Sequence, residues 1–525
     1  MIRTTRYCCG AVFVLVLVQI STAIIFPNTT DILISLDLPS EEYTYTTEDG
    51  HVLTMYRIPR PGAVPVLFLH GFLGSSDVWL LTKRKHNMPS VFYDEGYDVW
   101  MMNQRGNMYS KKHVSLSTDS SNPAYWNFSF HEIGMYDLSA TIDLILKTTG
   151  FESLLYVGHS MGTSAFLVLL SERPEYNKKV RAAALLAPVA YSIRESKLPA
   201  IKLFIQNANF FSNLLYNSGM YELLPRDDQR ASFIYNLCAA QLTLCTLFVK
   251  TVFNSNVENI KQNDLPYYLA RLSSGSSVKV YQHLGNVISG YNFSKFDYGP
   301  DGNLRVYGTL KPPRYPVERV TVPLALFYSK ADPFIDNYSI QQLKAHAANV
   351  IFDLSIPDVK FQHLDYLFGI NARYMVTSFI LKIFKKYSGQ DKLPDSLNYI
   401  SKSDLTKTSL GNQFLPILEP TVKEANRYPK KAPSINMKYQ QKNVNNRYNV
   451  FKDYTKLQLK KYEGIPKGEV KYLKNLPNGI KEQKNKIEKY SQELESNLAI
   501  AESRNLQSTL KFLKPRRDSP RTFWI

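Results

Sequence analysis

Cysteine is scarce in this chain: its 525 residues hold four, and two of these, Cys8 and Cys9, lie at the extreme N-terminus. That excludes a disulfide-dense scaffold. No grouping of His and Cys has ligand spacing, so no metal site is expected. Long apolar runs are missing after residue 26, and no later segment reads as a transmembrane helix. Acidic residues are outnumbered, but the excess is local. Residues 391–525 hold 27 Lys and Arg against 14 Asp and Glu, hence +13 of the formal +18. A basic balance set by one tail argues against nucleic acid as a partner of the whole protein.

What is present begins with a targeting pattern. Arg3 and Arg6 precede the apolar Ala11–Val18, and Ser21, Thr22 and Ala23 supply small residues. This predicts a signal peptide over residues 1–23, cleaved after Ala23, and entry to the secretory pathway. A signal anchor is the rival, because Ile24, Ile25 and Phe26 prolong the apolar run. In an oxidising compartment the remaining pair, Cys238 and Cys245, reads as a local disulfide. Asn28, Asn127, Asn292 and Asn337 each open a glycosylation sequon.

From Tyr43 to about Tyr387 strand-like and helix-like segments alternate. Tyr43–Tyr56 reads as a hairpin around Glu48-Asp49-Gly50. Short apolar runs follow at Val64–Leu69, Asp98–Met102, Leu154–Val157, Ala182–Leu186 and Val322–Phe327. Helical patterns between them, notably Tyr136–Lys147 and Gly162–Glu172, predict an α/β fold with a mainly parallel sheet covered by helices. The alternation breaks between about Ala190 and Thr321. The expected organisation is a core over residues 24–189 and 322–387 and a mostly helical cap over 190–321. A second independent domain is the alternative for the insertion. Residues 388–525, rich in Lys, Asn and Gln, read as a basic, low-complexity, partly helical or disordered tail.

The chemistry is carried by Leu154-Leu155-Tyr156-Val157-Gly158-His159-Ser160-Met161-Gly162, an apolar strand ending in G-x-S-x-G before a helical stretch. A serine on such a turn is exposed above a sheet edge, and the N–H of Met161 falls where an oxyanion would develop. A hydroxyl nucleophile needs a base and the base an orienting acid, in the chain order Ser, Asp or Glu, His. Only His283, His346 and His363 follow Ser160. His283 lies in the expected cap and His346 on a polar-faced helix. His363, in a loop after the last apolar strand, is the best sited. For the acid, Asp332 follows Val322–Phe327 closely, with Asp336 in the same loop and Asp353 as rivals. The glycine turn His70-Gly71-Phe72-Leu73-Gly74 offers the N–H of Phe72 as second oxyanion donor.

Seven strings in order then resemble the acid lipase family, which includes gastric and lysosomal acid lipases and insect lipases, within the α/β-hydrolase superfamily. They are His70–Leu73, Gly96–Trp100, Asn103–Asn107, Tyr136–Leu138, Gly158–Gly162, Leu186–Ala190 and His363–Tyr366. The resemblance covers residues 35–387. It implies an α/β-hydrolase fold, Ser160 as nucleophile, Asp332 as acid, His363 as base, a cap disulfide at Cys238 and Cys245, and no cofactor. Met161 and Phe72 replace a commoner Gln and Leu. The acid's loop is looser than the family pattern, which keeps Asp336 in view, and the tail has no counterpart.

The expected function is therefore a secreted or lysosomal serine lipase. It would cleave neutral lipid esters, triacylglycerol first and steryl ester second, at a lipid–water interface. Two alternatives share the fold: a carboxylesterase on small soluble esters, and a lipid-binding or storage protein without turnover. The basic tail reads as a solvated extension, with contact to anionic membrane or matrix as the alternative.

Overall fold

The computed structural model describes residues 24–194, 199–253, 257–290 and 292–389. The signal segment and almost all of the basic tail lie outside the described residues.

The opening hairpin forms as β1 (Glu41–Thr46) and β2 (His51–Ile58), paired antiparallel. Four apolar runs become β3 (Pro65–Leu69), β4 (Asp98–Met102), β6 (Leu154–His159) and β7 (Val180–Leu186). A short β5 (Lys112–His113) pairs with β2. The fifth run is β10 (Leu324–Ser329), and β11 (Val350–Ile356) closes the edge. The sheet order is β1-β2-β4-β3-β6-β7-β10-β11, parallel from β4 onward. β3, β4 and β6 are buried along their whole length, as expected of strands covered on both faces.

Two elements were not legible in advance. β11 alternates half-buried and exposed residues along its first half, an edge-strand pattern with Asp353 in it. Residues Ile133–Leu138 form a π-helical turn ahead of the helix Ser139–Thr149. There Gly134 lies so close to the helix Met161–Glu172 that a Cβ would stand 2.6 Å from the Ala165 carbonyl oxygen.

Between β7 and β10 no strand joins the main sheet among the described residues. The segment contains the helices Pro199–Gln206, Ala208–Asn217, Asp228–Ala240, Leu242–Phe253, Leu265–Leu272 and Val278–Ser289. It also carries a two-stranded ribbon, β8 (Glu222–Leu223) with β9 (Ser276–Ser277). Cys238 and Cys245 are disulfide-bonded at the break between two of these helices.

The string Asn103–Asn107 turns out to be a brace. Arg105, fully buried, donates to Asp137 through Nε at 2.7 Å and to Asp49 through Nη1 at 2.6 Å. Gly106 follows at φ +79°, with Phe128 and Trp126 leaving no space for a Cβ.

Candidate active site

β6 ends in a turn that only this residue pattern tolerates. Ser160 has φ +54°, a left-handed conformation that costs a non-glycine residue strain energy. Its N–H donates to the Leu186 carbonyl of β7 at 2.9 Å, and its carbonyl accepts from Thr163 as the helix Met161–Glu172 begins. Gly162 packs against β3: a Cβ there would lie 2.6 Å from the Leu69 carbonyl oxygen. The serine side chain is thereby held half-exposed above the sheet while the flanking residues are buried.

Three side chains from three loops meet there. The Ser160 hydroxyl lies 3.0 Å from His363 Nε2, and His363 Nδ1 lies 2.8 Å from Asp332 Oδ2. Asp332 is almost fully buried beyond β10, and its Oδ1 accepts from the Phe334 N–H, which fixes the carboxylate. Among the rivals, Asp336 caps the helix Asn337–His346 and accepts from the Arg194 N–H. Asp353 pairs with Lys344 on the sheet edge. His346 is half-buried on its helix, its Nδ1 against the Gln342 carbonyl. His283 is buried in the helix Val278–Ser289, stacked on Phe130.

The glycine turn passes directly beside the serine, since a Cβ at Gly71 would stand 3.0 Å from Ser160 Cβ. His70 is buried, and desolvation pushes its imidazole down to about 4, so it is neutral. Its Nδ1–H donates to the Gly71 carbonyl at 2.8 Å while Nε2 accepts from Asn107 at 3.3 Å. That carbonyl belongs to the Gly71–Phe72 peptide. Gripping it orients the Phe72 N–H, which lies on the opposite edge of the same plane. The insertion between β7 and β10 braces the same turn, because the Ser274 N–H donates to the Leu73 carbonyl at 2.7 Å.

A second histidine supports the first. His159 Nε2 donates to the His363 carbonyl at 3.1 Å, with the two rings 4.8 Å apart. Burial, then the neighbouring His363, hold His159 well below the ordinary imidazole range, so it braces the loop as a neutral ring. Sequence reasoning missed this role because the carbonyl that His159 holds lies 204 positions away. The four sequon asparagines are all exposed. Among the described residues no group of His, Cys, Asp and Glu could hold a metal ion.

Two family models match this chain: an alpha/beta hydrolase fold over residues 64–226 and a partial alpha/beta-hydrolase lipase region over residues 29–83. Lipase 1 of Drosophila melanogaster is 34% identical over 66% of this chain and 77% of its own length. The lysosomal acid lipase/cholesteryl ester hydrolase of Homo sapiens is 32% identical over 69% of this chain and 91% of its own. This chain belongs to the acid lipase family. The lipase is similar also to the gastric triacylglycerol lipase of Rattus norvegicus, at 33% identity over 64% of this chain and 85% of the relative. As a member of that family it is a carboxylic ester hydrolase.

The lipase exposes apolar side chains in the insertion between β7 and β10. Phe210, Leu214, Phe233, Leu244, Leu247 and Phe248 are each more than half exposed.

Proposed function

We propose that this lipase hydrolyses neutral lipid esters at a lipid–water interface, triacylglycerol in preference to steryl esters, through an acyl-enzyme on Ser160. The observation that carries the reading is the relay Ser160 Oγ to His363 Nε2 at 3.0 Å and His363 Nδ1 to Asp332 Oδ2 at 2.8 Å. His363 removes the hydroxyl proton as Oγ attacks the ester carbonyl. Asp332 holds the imidazole with its proton on Nδ1 and stabilises the imidazolium that forms. The N–H groups of Phe72 and Met161 receive the oxyanion of the tetrahedral intermediate. His363 then protonates the leaving alcohol, and water enters by the same route to release the fatty acid.

The exposed apolar residues of the cap favour an insoluble substrate over a small soluble ester, since they offer a surface to a lipid droplet. The names of the relatives, which include a lysosomal and a gastric lipase, support a secreted or lysosomal setting. The basic residues 391–525 extend the reading to attachment on anionic membrane or matrix, released by salt.

The test is fatty-acid release from a long-chain triacylglycerol emulsion by the purified protein beside Ser160→Ala. Release that vanishes in the variant supports the reading. Cleavage of short soluble esters alone would make the protein an esterase, and silence on both a binding protein.

A further inference from the structure

The loop that carries His363 is held from the cap side by a pair of residues that the relay does not use. Asp365 is fully buried two positions beyond His363. Its Oδ2 accepts from the Gln362 N–H at 2.7 Å and from Asn259 Nδ2 at 3.0 Å. Its Oδ1 is buried without a hydrogen-bond partner. Asn259 approaches from the other side of a seam, in the turn Val257–Asn259 of the insertion. Its amide also donates to the Lys360 carbonyl at 3.1 Å, and its own carbonyl accepts from the Ile370 N–H at 2.9 Å. A bridge between Ile260 and Gly369 and a stack of Tyr268 on Phe368 continue the same seam.

We propose that Asn259 and Asp365 form a latch through which the cap sets the position of His363, making both of them positioning residues for hydrolysis. The proposal rests on the reading of His363 as the base. One carboxyl oxygen joins a side chain of the cap to the backbone of the residue next to His363. A shift of the cap at Asn259 therefore moves the imidazole against Ser160. Misplacement on the scale of 1 Å can cost up to about 100-fold in rate.

The latch also has a protonation state. Burial, opposed by the hydrogen bonds from Asn259 and Gln362 and reinforced by the charges of Asp358 and Asp332, pushes the Asp365 carboxyl up to about 7. The charged groups facing it are Asp358 and Lys360 on its own loop, Asp332 beside His363, and Glu258 from the cap, which pairs with Lys360. Below about 7 the carboxyl is neutral. As pH rises towards that value, the carboxylate that forms is buried beside Asp358 and Asp332, and desolvation and repulsion outweigh its strengthened hydrogen bonds and favour opening of the seam. The alkaline limb of activity therefore contains the ionisation of Asp365.

The experiment uses the full chain with a short soluble ester, p-nitrophenyl butyrate, and the rate of Ser160 labelling by a fluorophosphonate. Neither assay depends on adsorption to lipid. Asn259→Ala is expected to lower kcat and the labelling rate by about 10- to 100-fold with KM little changed. Asn259→Asp, which puts a second carboxyl against Asp365, should retain activity at acid pH and move the ionisation of Asp365, and with it the alkaline limb, to higher pH. Asp365→Asn, neutral at every pH, should remove the ionisation near 7 from that limb. Wild-type kcat, labelling rate and pH profile in all three would overturn the latch. So would losses that are equal at every pH and track the fraction of folded protein. A wild-type protein that the fluorophosphonate does not label would instead sink the assignment of Ser160 and His363, and the latch with it.

Discussion

The sheet core and the cap use the same apolar residue types in opposite ways. Along β3, β4 and β6 every side chain is buried, whereas the cap helices leave Phe210, Leu247 and others facing outward. In the core, the buried charge of Arg105 is paired with Asp137 and Asp49. The difference teaches that packing accounts for the core, whereas the proposed lipid-facing role accounts for the exposed residues of the insertion between β7 and β10. Apolar surface left in water contributes nothing to folding, so its retention points to a function outside the chain.

The sharpest break of that comparison is at the serine. Ser160→Gly removes the hydroxyl and relieves the positive φ, so hydrolysis should fall on the order of 10⁶-fold. The same change should stabilise the fold by roughly 1 kcal/mol, read as a higher urea midpoint. A variant that lost stability instead would show that the turn is not strained. In the core, Arg105→Leu leaves the buried Asp137 without its partner and should cost about 3–5 kcal/mol by the same measurement.

Acid should weaken the molecule through histidines held neutral by burial. His70 is pushed down to about 4 and His283 to about 3. Both values lie below the unfolded imidazole, so the unfolded state binds protons first as pH falls. The stability they contribute is complete above about pH 6.5 and is lost progressively as pH falls towards 4 and below, visible as a declining urea midpoint. A flat midpoint over that range would contradict the neutral assignments. The smallest stability effect is expected on the cap exterior. Phe233→Ser with Leu247→Ser should change stability by only about 0.5 kcal/mol, since both side chains are already exposed. Adsorption to a triacylglycerol emulsion should nevertheless fall while a soluble short ester is cleaved as before. Equal adsorption would show that the cap exterior meets something other than lipid.

Much of the core was legible because buried parallel strands are short apolar runs, and five of them stand out between polar segments. β11 escaped because an edge strand exposes alternate residues and carries charge, which in sequence looks like a loop. The ribbon of β8 with β9 has two residues on each side and leaves no periodicity to detect. At the site, Ser160 and His363 were picked out by motif and chain order. The supporting roles of His159, Asn259 and Asp365 were not, because each depends on a partner 100 or more positions away.

The sequence by itself determined that a serine would sit on a strand-to-helix turn, since Gly158, Ser160 and Gly162 are what that backbone permits. It also put Asp332 first for the acid, ahead of Asp336 and Asp353, by its place after an apolar strand and by the family resemblance. What each carboxylate touches was tertiary. Asp336 is occupied as a helix cap and Asp353 is paired with Lys344, while the turn at Phe334 aims Asp332 at the imidazole. The protonation states of His70, His159 and Asp365 were tertiary too. They follow from desolvation by residues distant in the chain, which no local pattern encodes.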